Sequence, residues 1–211
     1  MQRHIDYLLS LGFDVATFEI VNQVLLKTLP ISTEFKFGLK HVWADQVERM
    51  LSELPGQKIV FSLSNPSAGA IEAIGRRQGG DVKALICDGG PNAYHFKPLM
   101  NLYHQRDPGI SFPMKIIKVA MGYVLLSPVW ATQLKYDLSR FPKNFPILSI
   151  RGWKDPLISP HNIDQVFEPH SQLNWQKLSL PDGEHLDGLK NFADDYKPVV
   201  ERFLQKVATP A

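Results

Sequence analysis

Apolar positions along the chain recur at two spacings, and the spacing switches from segment to segment. Ile5, Leu8 and Leu9 share one helical face, with Gly12 placed to end that helix. Residues 13–21 interleave β-branched and aromatic side chains with polar ones, which predicts a strand. Val47, Met50, Leu51 and Leu54 return to helical spacing, so a second helix covers roughly 42–54 until Pro55-Gly56 stops it. The nearly unbroken apolar run 59–63 reads as a buried central strand. A helix over 66–77 is rich in small residues (Ser67, Ala68, Gly69, Ala70, Ala73), a surface that can lie close against a sheet, and Gly79-Gly80 breaks it. Further strands fall at 84–88, 146–151 and 174–180. Tyr196, Val199, Val200, Phe203, Leu204 and Val207 stripe a last helix, with Pro198 in its first turn, where a missing N–H costs nothing.

Helix and strand alternating in this way predict an α/β fold, a mainly parallel sheet with helices on both faces. No repeat or linker interrupts it, so 1–211 reads as one domain. The pattern changes over 92–142, which is crowded with aromatics, methionines and prolines. Two readings stand here. One is a helical excursion closing on its own small core, the other a helical cap or lid over a pocket, since long insertions tend to be functional.

Composition narrows the function. The 23 basic and 21 acidic residues leave a charge of +2, too balanced for a nucleic-acid binder. A single cysteine, Cys87, excludes an internal disulfide framework and fits a reducing compartment. No basic region followed by an apolar core opens the chain, and the longest apolar stretch, 119–130, falls short of the ~20 residues that span a bilayer. A cytoplasmic protein is the expectation. No phosphate-binding loop and no paired Cys/His spacing occurs, so neither an organic cofactor nor a metal is expected.

Three chemistry-bearing stretches fall at the carboxyl ends of predicted strands, where open α/β sheets bind ligands. They are Ser62-Leu63-Ser64-Asn65-Pro66-Ser67, then Arg151-Gly152-Trp153-Lys154-Asp155, then Asp182-Gly183-Glu184-His185. A serine hydroxyl is a weak nucleophile unless an imidazole takes its proton and a carboxylate orients the imidazole. Three strand ends can bring those groups to one point in the order Ser, Asp, His. Asp88 and Asp182 are the alternative acids.

On these residues the chain resembles the α/β-hydrolase superfamily. Residues 146–156, with an apolar strand, Gly152 and Asp155, look like its acid-bearing strand and turn. Gly183-Glu184-His185 before a final amphipathic helix looks like its histidine loop, and 84–88 resembles the strand before its cap. The nucleophile elbow departs from G-x-S-x-G. Centred on Ser64, proline stands where glycine is expected; centred on Ser67, one glycine is in place and asparagine takes the other position. Strand length favours Ser64, with Ser67 the second choice, and a helix cap is the plain alternative for both.

The resemblance implies an acyl-enzyme mechanism on a small-molecule carboxylic ester or thioester with a lipophilic acyl group. Ser64 would attack, His185 carry the proton, Asp155 orient His185, and the Asn65 N–H help hold the oxyanion. It also implies a strand and an oxyanion-donating loop before the first helix, which this sequence does not carry. Either two strands pair directly, or another copy fills the gap in a homo-oligomer, or the protein begins upstream. Losing one oxyanion donor typically costs ~10²–10³ in turnover, so the competing reading is a non-catalytic binding module on the same fold. A third, less favoured reading is contact with a membrane surface through 114–130.

Overall fold

The computed structural model describes residues 1–20 and 37–208. Among these residues, helices α1 (Gln2–Ser10) and α2 (Leu39–Glu53) precede four parallel strands, β1 (Lys58–Leu63), β2 (Val82–Asp88), β3 (Pro146–Gly152) and β4 (Asn174–Leu180). The strands lie side by side in chain order. Helix α3 (Ser67–Arg76) joins β1 to β2, and α4 (Phe96–Arg106), α5 (Phe112–Leu126) and α6 (Trp130–Ser139) join β2 to β3. Helix α7 (Pro160–Phe167) joins β3 to β4, and α8 (Gly188–Asn191) and α9 (Ala193–Ala208) close the chain.

The side-chain period of two along each strand feeds two separate cores. Leu85 and Cys87 of β2 pack with Trp43 of α2, Ile71 and Ile74 of α3, Leu134 of α6 and Phe167 of α7. Ala84 and Ile86, one residue out of phase, pack on the other face with Tyr7 of α1 and Tyr196, Val200 and Phe203 of α9. The parallel sheet covered on both faces is the fold that the alternation of elements predicts. Helix α6 belongs to the first layer, since Trp130, Leu134 and Leu138 are all buried in it. Helices α4 and α5 pack mainly on each other.

Three details differ from the sequence reading. Phe13–Ile20 forms no strand, and Val21 lies outside the described residues. Phe13 packs into the α9 core while Phe18 and Ile20 pack into the α3 core, so the segment carries the chain between the two faces. Its β-forming side chains serve packing without a ladder. Strand β1 is half-buried and, among the described residues, stands at the edge of the sheet rather than at its centre. Pro198 lies inside α9, because the helix begins at Ala193 with Asp194 and Asp195 favouring its positive N-terminal end.

A buried charge knot ties α6 to α2 and α3. Lys40 is fully buried and its Nζ lies 2.6 Å from both Glu72 Oε2 and Asp137 Oδ2. His41 Nδ1 meets Glu72 at 2.8 Å, and its Nε2 lies 3.0 Å from Gln133 Nε2. The Ser127 hydroxyl donates to Gln133 Oε1, leaving the Gln133 amide nitrogen to donate to His41. Burial works to raise the Glu72 carboxyl, but the His41 hydrogen bond and the charges of Lys40 and Arg76 hold it well below the usual carboxylate range.

Candidate active site

At the end of β1 the backbone turns sharply into α3, and Ser64 sits at the turn with φ 58, a left-handed value that non-glycine residues seldom take. The Ser64 N–H donates to the Asp88 carbonyl at 2.8 Å, which anchors the turn to β2. Pro66 follows with φ −52 and ψ −19, the conformation its ring favours, so proline fits the position where the motif expects glycine. Crowding at the turn falls on the facing loop instead: a Cβ at Gly90 would overlap the Ser64 carbonyl oxygen.

The Ser64 hydroxyl lies 3.0 Å from His185 Nε2, and His185 Nδ1 lies 2.6 Å from Asp155 Oδ2. A carboxylate only accepts, so His185 Nδ1 donates to Asp155 and Nε2 is left to accept the Ser64 proton. Asp155 is held in turn by the N–H groups of Leu157 (2.7 Å) and Ile158 (2.9 Å) on its Oδ1. Its carboxyl group is almost fully buried, while the His185 ring is 20% exposed. The acid and histidine loops lie backbone to backbone, since a Cβ at Gly152 would collide with the Gly183 carbonyl. The Lys154 N–H donates to that same carbonyl at 2.9 Å.

No protein-family model and no curated protein matches the sequence. Solved structures do. The chain is similar to the esterase Pf2001 of Pyrococcus furiosus, with a TM-score of 0.70 and 16% identity over 99% of this chain and 75% of that one. A thermophilic esterase matches with a TM-score of 0.53 and 18% identity over 83% of this chain and 76% of that one. MGS-M2, an α/β-hydrolase enzyme from a Medee basin deep-sea metagenome library, matches with 0.54 and 12% identity over 82% and 74%. The chain has the α/β-hydrolase fold.

Within this α/β-hydrolase fold the other candidates of the sequence reading lie elsewhere. Ser67 is fully buried in the first turn of α3, its hydroxyl without a hydrogen-bond partner among the described residues. Asp88 accepts from the Tyr196 hydroxyl at 2.8 Å on the opposite face, and Asp182 pairs with Lys154 at 2.6 Å on the surface. Burial pushes the Cys87 thiol up to about 12, which leaves it unreactive at neutral pH. Among the described residues no cluster of His, Cys, Asp or Glu is arranged to hold a metal ion.

Sequence reasoning missed a chain of three asparagines that links the strand-end loops. The Asn92 N–H donates to Asn65 Oδ1 at 3.2 Å, and Asn162 Nδ2 donates to Asn92 Oδ1 at 3.3 Å. Asn65 follows Ser64, Asn92 follows β2, and Asn162 stands in the first turn of α7 beyond Asp155. The Asn65 side chain is thus tied down, while its N–H makes no hydrogen bond among the described residues. Only Asn65 carried a signal in the sequence, as the residue after the serine.

Proposed function

We propose that this chain is a serine hydrolase that cleaves a carboxylic ester or thioester through an acyl-enzyme. The observation that carries the reading is the unbroken relay from Ser64 Oγ through His185 to Asp155, with Ser64 on a strained strand-to-helix turn. Ser64 Oγ attacks the carbonyl carbon as His185 Nε2 takes its proton, and the resulting oxyanion is held by the Asn65 N–H. Collapse breaks the bond to the alcohol or thiol, which leaves with the proton from His185. Water, deprotonated by His185, then cleaves the acyl-serine to release the acid. None of these steps calls for a metal or an organic cofactor.

In the same reading the α4–α5 part of 92–142 acts as a cap, α6 belonging to the core layer, and half-buried Leu99, Leu102, Tyr103 and Tyr123 on α4 and α5 favour a lipophilic acyl group. The test is fluorophosphonate labelling read by intact mass and peptide mapping. A single adduct on Ser64, absent in His185→Ala, is the expected result. An adduct on Ser67 would move the nucleophile. No adduct from protein shown to be folded would make this a binding module.

A further inference from the structure

Helix α5 is built inside out. Its only two charged residues turn toward the protein: Lys115 is 7% exposed with Nζ 3.3 Å from His104 Nδ1, and Lys118 pairs with Asp107 at 2.8 Å. Its outward face presents Phe112, Met114, Ile117, Met121, Val124 and Leu125, each 40–67% exposed. A helix at a water-facing surface is arranged the other way round. Nine of the thirteen exposed large hydrophobics among the described residues fall between Tyr94 and Val129, a concentration rather than the usual scatter.

Charge identifies the occupant. Residues 92–142 hold six basic and two acidic residues, whereas the rest of the chain holds 17 basic and 19 acidic. Both acids are already neutralised, Asp107 by Lys118 and Asp137 by buried Lys40. Lys97 beside Phe96 and Arg106 at the end of α4 are exposed and have no ion-pair partner among the described residues. A second copy related by a two-fold axis would set these cations against one another with no free carboxylate to receive them. A bilayer with anionic headgroups answers both the apolar face and the cations around it. We propose that the α4–α5 face docks on an anionic membrane surface.

Helix α5 lies on such a surface and does not cross it. The run Phe112–Ser139 has the length and composition of a span, yet its α6 half buries Trp130, Leu134 and Leu138 in the core. The 15 residues of α5 reach only about 22 Å, short of the ~30 Å hydrocarbon thickness. The proposal is independent of the hydrolase reading.

Co-sedimentation of the full chain with vesicles of equal parts phosphatidylcholine and phosphatidylglycerol tests it, beside phosphatidylcholine vesicles alone. The mixed vesicles are expected to bind, and added salt to weaken the binding. Ile117→Glu with Met121→Glu, at exposed positions, should weaken it at least about tenfold while leaving thermal unfolding unchanged. Lys97→Gln with Arg106→Gln should weaken binding to mixed vesicles by about tenfold or more and leave phosphatidylcholine binding as it was. Absence of binding by folded protein overturns the proposal. So does a lipid-free dimer, seen by light scattering, that Ile117→Glu with Met121→Glu dissociates. Equal, salt-insensitive binding to both vesicles overturns the anionic assignment.

Discussion

Asp155 uses its two oxygens for two different partners. Oδ1 takes the Leu157 and Ile158 amides, and Oδ2 takes His185 Nδ1. In Asp155→Asn the loop amides keep the side-chain oxygen, so the new NH₂ faces Nδ1. The imidazole must then carry its proton on Nε2, pointing at Ser64 instead of accepting from it. In the proposed hydrolase, Asp155→Asn should lower kcat by about 10⁴-fold with KM little changed, because only the tautomer is wrong. Steady-state kinetics on a p-nitrophenyl ester checks this, and a loss appearing mainly in KM would assign Asp155 to substrate binding. Ser64, Asp155 and His185 were legible as candidates because each follows a strand and their order is informative. The Asn65–Asn92–Asn162 chain was not, since bonds between loops distant in sequence leave no spacing to read.

Among the elements, long periodic segments were legible and orientation was not. The helix read over 42–54 falls where apolar spacing puts it, because one buried face selects one period. Residues 13–20 show the opposite case, where β-forming side chains pack without a partner strand. Helix α5 is so uniformly apolar that its pattern could not say which side faces water; that was settled by where Lys115 and Lys118 find partners. The charge knot likewise escaped the sequence, since Lys40, Glu72 and Asp137 look like surface residues until three helices bury them. Lys40→Met would leave Asp137 without its cation, whereas Glu72 keeps Arg76 and His41. Breaking such a buried pair costs about 3–5 kcal/mol. Adding Asp137→Asn should recover part of that loss, a non-additivity that urea unfolding of the two single variants and the double variant would reveal.

For the molecule as a whole, acid should be the weakening condition, and one histidine says where the slope lies. His95 is 1% exposed, stands edge-on to Trp130 at 4.3 Å, and has no hydrogen-bond partner for either ring nitrogen among the described residues. Burial lowers its pKa from 6.5 to about 4. Unfolding returns the ring to its ordinary value, so between these limits the unfolded chain holds a proton that the folded one does not. Stability therefore rises with pH through that window: the neutral ring's contribution is complete above about 6.5 and is lost as pH falls toward 4. The size of the shift sets the loss at about 2 kcal/mol by roughly pH 5, with about 3 kcal/mol at the lower limit. Glu72, held below its ordinary range, adds its own loss only at lower pH, whereas His170, also lowered by burial, shares the His95 window. Urea midpoints near neutrality and near pH 5 separate them. The native chain should lose stability between the two, and His95→Leu, which removes both unpaired nitrogens, should lose much less. An equal loss in both proteins would transfer the acid sensitivity to His170.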